Sequence, residues 1–258
     1  MTGAGRGLGQ QMALALARAG AHVVAAARTQ AQIEETARAI RGLRKGRRAV
    51  AVPTDVRDPR QVDALIERCL SEFGRLDIML SNAGIGDAPA RDKELWDVSD
   101  DEWRDALDAN LSSAFYCARA AARPMVEQGG GVVINVGSGT ALRGYPQDFA
   151  YAAAKAGVIA ITRSLALMLA PHDIRVNCII PGWVAQAPPA SEEEAETRRA
   201  SGRRVPVRRL GEAWELGPLA VFLASDASSY MTGQGFVIDG GGLAGGYAPT
   251  GFAPEVPI

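Results

Sequence analysis

The chain has 258 residues, 47% of them hydrophobic, enough for one sizeable core, and it is expected to form a single domain over residues 1–258. Its 28 basic and 29 acidic residues leave a net charge of −1, which argues against nucleic acid or an anionic membrane as a partner. Three scattered cysteines (Cys69, Cys117, Cys178) and two isolated histidines (His22, His172) suggest neither a disulfide framework nor a metal site, and with no leader pattern and no uninterrupted eighteen-residue apolar run, a cytoplasmic location is expected.

A glycine-rich stretch, Thr2-Gly3-Ala4-Gly5-Arg6-Gly7-Leu8-Gly9, opens the chain and leads into a helical pattern over Gln10–Ala19. Such a loop offers backbone N–H groups and the positive end of a helix dipole to a pyrophosphate. The spacing is T-G-x-x-x-G-x-G; G-x-G-x-x-G fails in every register. A strand normally precedes such a loop and lies in the middle of its sheet, but Met1 stands where the last residue of that strand belongs. The first strand is therefore expected to be truncated, through a start placed too late or a trimmed end, leaving its neighbours without a ladder partner. An apolar strand restored ahead of Thr2 is expected to raise the melting temperature.

The next apolar run, Val23–Ala27, reads as a strand ending at Ala27-Arg28. An acidic residue there would bind a ribose 2′-hydroxyl and select NAD. Arginine suits a 2′-phosphate and can stack on adenine, and Arg6 supplies a second cation, so NADP(H) is favoured over NAD(H). A helix is expected over Gln30–Leu43, a strand over Ala49–Pro53, and a helix over Arg60–Phe73 that starts at Asp58-Pro59 and stops at Gly74. A strand over Leu76–Ser81 and a helix over Asp101–Glu127, opened by Ser99, come next. Beyond Gly129–Gly131 lie a strand at Val132–Val136, a helix at Ala150–Leu169 closed near Pro171, and a strand at Arg175–Ile180. Residues 185–209, with Pro188-Pro189, an acidic run and a basic Arg198–Arg209 stretch, read as a mobile substrate loop. A helix at Ala213–Ala224, a strand at Phe236–Ile238 and an irregular tail over Leu243–Ile258 complete the series. Strands apolar on both faces, alternating with helices, predict an α/β fold: a Rossmann-type doubly wound parallel sheet with helices on both faces.

Tyr151 and Lys155 are four residues apart on one helix face, and Ser138 lies thirteen residues before the tyrosine. A tyrosine of pKa about 10 is a poor base at neutral pH. An ammonium beside the phenol would favour the phenolate, which is what carbonyl or alcohol redox chemistry needs.

In combination these motifs resemble the short-chain dehydrogenase/reductase family from Thr2 to about Gly242. They include the glycine loop, Asp55-Val56, Ser81-Asn82-Ala83-Gly84, Asn110, Ser138, Tyr151-x-x-x-Lys155, Pro181-Gly182 and Val237-Ile238-Asp239-Gly240-Gly241. Members of the 3-oxoacyl-carrier-protein reductase type look most similar, with sugar and steroid alcohol dehydrogenases. The resemblance implies that Tyr151 is the acid/base, that Ser138 polarises the carbonyl, and that Lys155 tunes the tyrosine and holds the nicotinamide ribose. Asn110 would anchor a relay water. Gly3, Arg6, Gly7, Leu8 and Gly9, with Arg28, Asp55, Val56, Asn82, Ala83 and Gly84, would bind the cofactor; Pro181, Gly182 and Val184 would pack on the nicotinamide. A homotetramer through the Asp101–Glu127 and Ala150–Leu169 helices is implied too. His172 and Trp183 gain no role beyond surface and packing.

Two positions depart from the family pattern. Gln186 stands near the place of a threonine that contacts the carboxamide, and Ser81 replaces an asparagine. A small-molecule ketone or secondary alcohol is the expected substrate, with Arg143, Tyr145 and Gln147 as candidate contacts. A non-catalytic cofactor-binding regulator or scaffold, and an NAD-dependent alcohol or sugar dehydrogenase, remain as alternatives.

Overall fold

Strand β1 (Val23–Ala27) buries Val23 and Ala25 on one face and Val24 and Ala26 on the other. A strand apolar on both faces needs cover from two layers, and the helices supply it. A computed structural model describes residues 1–43, 46–84, 93–144 and 148–245. Helices α1 (Gly7–Ala19) and α2 (Gln30–Leu43) pack Ala13, Ala17, Ile33 and Ile40 onto the Val23 side. Helix α3 (Pro59–Phe73) packs Val62, Leu65 and Ile66 on the Val24 side.

Strands β2 (Ala49–Pro53), β3 (Ile78–Ser81), β4 (Gly131–Val136) and β5 (Ile174–Pro181) all run parallel, each pairing with a neighbour. Helices α4 (Asp100–Leu107) and α5 (Ser113–Glu127) precede β4, and α6 (Phe149–Leu169) precedes β5. Two short strands, β6 (Val184–Ala185) and β7 (Gly211–Glu212), pair outside the main sheet and hold the ends of an excursion carrying helix α7 (Glu192–Gly202). Helix α8 (Leu216–Ala224), edge strand β8 (Gly235–Ile238) and a single turn, α9 (Gly242–Gly245), follow. The order across the sheet is β2-β1, then Thr2, then β3-β4-β5-β8. Met12 and Leu16 of α1 join Leu216, Ala220 and Leu223 of α8 against Leu80, Ile134 and Ile179. Cys117, Ala121 and Met125 of α5, with Ala166 and Leu169 of α6, cover the opposite face. Each fully buried Leu, Ile or Met contributes about 1.5–3 kcal/mol. This is the doubly wound α/β fold that the alternation predicts.

Met1 and Thr2 take the central place expected of the first strand. The Met1 carbonyl accepts from the Ala26 amide (3.0 Å), the Thr2 amide donates to the Leu80 carbonyl (3.0 Å), and the Met1 ammonium donates to the Val24 carbonyl (2.9 Å). Burial lowers the pKa of that ammonium. These two residues thus make one backbone bond to β3 and two to β1, at the position of the end of the expected strand.

Several boundaries differ from expectation. Helix α1 opens at Gly7 rather than Gln10: glycine is a weak helix former, but the loop geometry around an extended Arg6 (φ −159°, ψ 174°) starts the helix inside the motif. The expected helix over Asp101–Glu127 is continuous but contains a π-helical segment, Asp108–Ser112, centred on Asn110. Residues 185–209, expected as a loop, contain α7; Ser191 caps it by accepting from the Glu194 amide (3.2 Å), and three glutamates in its first turn suit the dipole. The helix is mostly polar and offers no apolar stripe for periodicity to detect. Helix α6, extended to His172, has a mean hydropathy of 1.5 and is long and apolar enough to cross a membrane by length and composition, unlike the expectation drawn from uninterrupted runs. It packs on β4 and β5, with Ala154, Val158, Ile159, Thr162 and Ala166 buried. Tyr145, Gln147 and the tail beyond residue 245 lie outside the described residues.

Candidate active site

The carboxyl ends of the strands open into a cavity of about 1070 Å³ where the sheet order reverses at Thr2. In a doubly wound sheet this switch point is where ligands bind. Every residue assigned to catalysis or cofactor binding from sequence lines the cavity except Gly7, whereas Arg143, a candidate substrate contact, is not among the lining residues. Gly7 lies just behind the lining, in the left-handed region (φ 55°).

The glycine loop forms one wall. Gly3 is also left-handed (φ 63°), and a side chain on Gly9 would strike the Gly3 carbonyl, so the chain can cross itself there only without a Cβ. Thr2 ties this loop to the next, its hydroxyl accepting from the Asn82 and Ala83 amides (3.2 and 3.3 Å), while the Asn82 amide group donates to the Gly3 carbonyl (3.2 Å). The first turn of α1 thus presents its amides to the cavity. The Leu8 amide faces the side-chain oxygen of Gln186, 3.4 Å away.

Arg28 follows β1 and Asp55 follows β2, so both reach the same end of the cavity. Asp55 makes a bidentate pair with Arg57, its shortest contact 2.6 Å, and this bond holds the carboxyl below its usual pKa. Arg57 was not singled out in the sequence; its spacing of two from Asp55 is the signal that would have found it.

Across the cavity, β4 delivers Ser138 and α6 delivers Tyr151 and Lys155. Ser138 caps a 3-10 turn, accepting from the Thr140 amide (3.3 Å) and hydroxyl (2.9 Å), so its own proton is available to the neighbouring Tyr151 phenol. Burial raises the tyrosine pKa, the Ser138 bond opposes this, and Asp148 adds to it; the net direction is upward. This corrects the expectation of a phenolate favoured by Lys155. The Lys155 ammonium lies 5.6 Å from the Tyr151 ring centre and donates to the Val136 carbonyl (2.9 Å) rather than to the phenol. Lys155 is 4% exposed, and burial lowers its pKa to about 8.

Asn110 is buried in the π-helical segment and donates to the Ala106 carbonyl (3.0 Å). The wider turn aims its side chain at the cavity. A Cβ on Gly84 would collide with the Asn110 side-chain oxygen and stand 3.3 Å from the Lys155 nitrogen, so Gly84, Asn110 and Lys155 meet at one point. Trp183 also lines the cavity, with the Arg143 guanidinium 5.7 Å from its ring centre. Among the described residues no cluster of His, Cys, Asp or Glu suits a metal ion.

The cavity suits a dinucleotide. Amides of a helix N-terminus face it beside glycines that leave the backbone bare, arginines stand at the Arg28 end, and a phenol, a hydroxyl and an amine stand at the Tyr151 end. The family described as enoyl-(acyl carrier protein) reductase matches residues 3–242. A cis-4-hydroxycyclohexanecarboxylate dehydrogenase of Sinomonas cyclohexanicum is 39% identical over 93% of this chain and 94% of that protein. A 3-oxoacyl-acyl-carrier-protein reductase of Staphylococcus aureus is 36% identical over 93% of this chain and 96% of its own. The L-sorbose reductase of Gluconobacter frateurii, solved with NADPH and L-sorbose, has a TM-score of 0.86 at 28% identity, covering 93% of this chain and 94% of that one. A 7α-hydroxysteroid dehydrogenase solved with NADH has a TM-score of 0.84 at 30% identity, covering 93% of this chain and 92% of that one.

Proposed function

The chain belongs to the short-chain dehydrogenase/reductase family of oxidoreductases, and we propose that it moves a hydride between NADP(H) and a ketone or secondary alcohol, with Tyr151 as acid/base. The observation that carries this reading is that Ser138, Tyr151 and Lys155 line the same cavity as the amide-lined start of α1.

A bound nicotinamide would supply or accept the hydride. In the reductive direction the phenol gives its proton to the carbonyl oxygen, and the Ser138 hydroxyl donates a hydrogen bond to the same oxygen. The upward pKa keeps the phenol protonated at neutral pH, as a proton donor requires. Lys155, held by the Val136 carbonyl, is set to hold ribose hydroxyls. Asn110, opposite Gly84, is set to anchor a water that returns protons to Tyr151 by way of Lys155.

Arg28 and Arg6 line the cavity beyond β1, while Asp55 is already tied to Arg57 and is the poorer partner for a 2′-hydroxyl. That supports NADP(H) over NAD(H). The hydroxycyclohexanecarboxylate in one relative's name makes ring ketones the first substrates to test. Exposed Phe115, Leu167 and Met168 on α5 and α6 support self-association through those helices, which light scattering would test.

The experiment is a titration of cofactor fluorescence followed by turnover on a panel of ring ketones, sugars and 3-oxoacyl thioesters. Tighter binding of NADPH than NADH, with reduction of at least one ketone, is the expected result. Binding without reduction of any carbonyl would favour a non-catalytic role.

A further inference from the structure

Six arginines lie between Arg198 and Arg209, and most are neutralised locally. Arg198 pairs with Glu194 (2.6 Å), Arg199 with Glu196 (2.9 Å), Arg203 with Glu196 (3.5 Å) and Arg209 with Glu215 (2.7 Å). Arg204 and Arg208 have no carboxylate partner among the described residues. Of these two, Arg204 lines the cavity.

The fold fixes which end of the cavity Arg204 serves. Its amide donates to the Ser201 carbonyl (3.1 Å), and the next residue, Val205, donates to Gly202 (2.9 Å) and is 3% exposed. Val205 packs so closely on Gly240 that a Cβ there would lie 2.8 Å from it. Gly240 follows β8, whose Ile238 carbonyl accepts from the Gly182 amide (2.9 Å), and Gly182 adjoins Gly139 beside Ser138. The turn bearing Arg204 is therefore tied, through Val205, Gly240 and Gly182, to the Ser138 side of the cavity. Asp55, already paired with Arg57, is the one carboxylate among the described lining residues.

We infer that Arg204 anchors a carboxylate on the substrate, so that the enzyme works on ketones or alcohols carrying a carboxylate away from the reacting carbon. The inference rests on the cavity being a nicotinamide redox site. Its chemistry is a guanidinium that lines the cavity without a carboxylate partner among the described residues, on a turn pinned by the buried Val205. That combination discriminates an anion from its neutral isostere.

The test uses the full-length enzyme saturated with NADP+, with cyclohexanecarboxylate and cyclohexanecarboxamide titrated calorimetrically into wild type, Arg204→Gln and Arg204→Lys. Wild type is expected to bind the carboxylate about tenfold more tightly than the amide. Arg204→Gln should erase that difference, and Arg204→Lys should keep most of it. Equal binding of the two ligands by wild type, or an undiminished preference in Arg204→Gln, would overturn the inference. Fluorescence titration of the same variants with NADPH separates the other anion available: loss of about tenfold in cofactor affinity in Arg204→Gln would assign the residue to the pyrophosphate and overturn the proposal. Reduction of 4-oxocyclohexanecarboxylate is followed in parallel. Carboxylate-selective binding without reduction of any ketone would sink the redox reading while leaving the anion anchor standing.

Discussion

The side-chain oxygen of Gln186 accepts from the Leu8 amide at 3.4 Å, which puts a carboxamide from the excursion that carries α7 at the amide-rich start of α1. That oxygen also occupies the space into which a side chain on Gly7 would extend. A helix N-terminus attracts anions, and a cofactor pyrophosphate would claim the same amide. Gln186→Ala is therefore expected to tighten NADPH binding about threefold to tenfold, measured by fluorescence titration. Weaker binding would mean that Gln186 supports the bound cofactor instead of competing with it.

Arg28, at the end of β1, and Arg6, in the glycine loop, line the cavity and carry the proposed choice of NADP(H). Arg28→Ala should cost about tenfold or more in NADPH affinity while leaving NADH within about twofold. An equal loss for both cofactors would show that Arg28 stacks on adenine without reading the 2′-phosphate.

Gly84→Ala tests the meeting point of Asn110 and Lys155. The new methyl collides with the Asn110 side chain and crowds the lysine nitrogen, which stands 3.3 Å from it. Overpacking of this kind costs about 1–3 kcal/mol, and displacement of the two polar groups should cut kcat by about a hundredfold. Thermal melts and steady-state kinetics on one preparation would check both. Full activity would remove Asn110 and Lys155 from the proposed proton path.

Lys155 ties stability to pH. Burial lowers its pKa from 10.5 to about 8, so between those values the unfolded chain holds more protons than the folded one. The cost of burying the ammonium is full below about pH 8 and is relieved as pH rises toward the unfolded value. Lys155→Met should be inactive yet more stable than wild type at pH 7 by about 1–2 kcal/mol, after the lost bond to the Val136 carbonyl is counted. The gain should shrink by about pH 10. Chemical denaturation at both pH values measures it, and a gain that grows with pH would contradict the sign.

The raised tyrosine pKa makes the two directions of the reaction respond differently to pH. Reduction uses the protonated phenol and should stay level from neutral into alkaline solution; oxidation uses the phenolate and should climb throughout that range. A plateau in oxidation below about pH 8 would mean that bound cofactor reverses the direction of the shift.

Most of the fold was legible because strands buried on both faces leave long apolar runs, and Gly74, Ser99 and Asp58-Pro59 punctuate them. The glycine-lined wall of the cavity was legible for a related reason, since glycines needed for close approach leave a spacing that few other constraints produce. Three features were hidden. The π-helical turn at Asn110 changes hydrogen-bond register without changing hydrophobic period. Helix α7 is mostly polar and is held by Ser191 and its own ion pairs, so it carries no apolar stripe. The setting of Lys155 depends on a carbonyl nineteen residues away, Val136, which i,i+4 spacing cannot reveal.

The central claim is that Tyr151 passes a proton while a hydride moves between NADP(H) and a carbonyl carbon. The most direct measurement presents NADPH deuterated at the transferring carbon with a ring ketone to wild type and Tyr151→Phe, and follows deuterium at the product carbinol carbon by mass spectrometry. Wild type should label that carbon, whereas Tyr151→Phe should bind NADPH with the same affinity and give almost no labelled alcohol. Labelling by Tyr151→Phe at the wild-type rate would contradict the account.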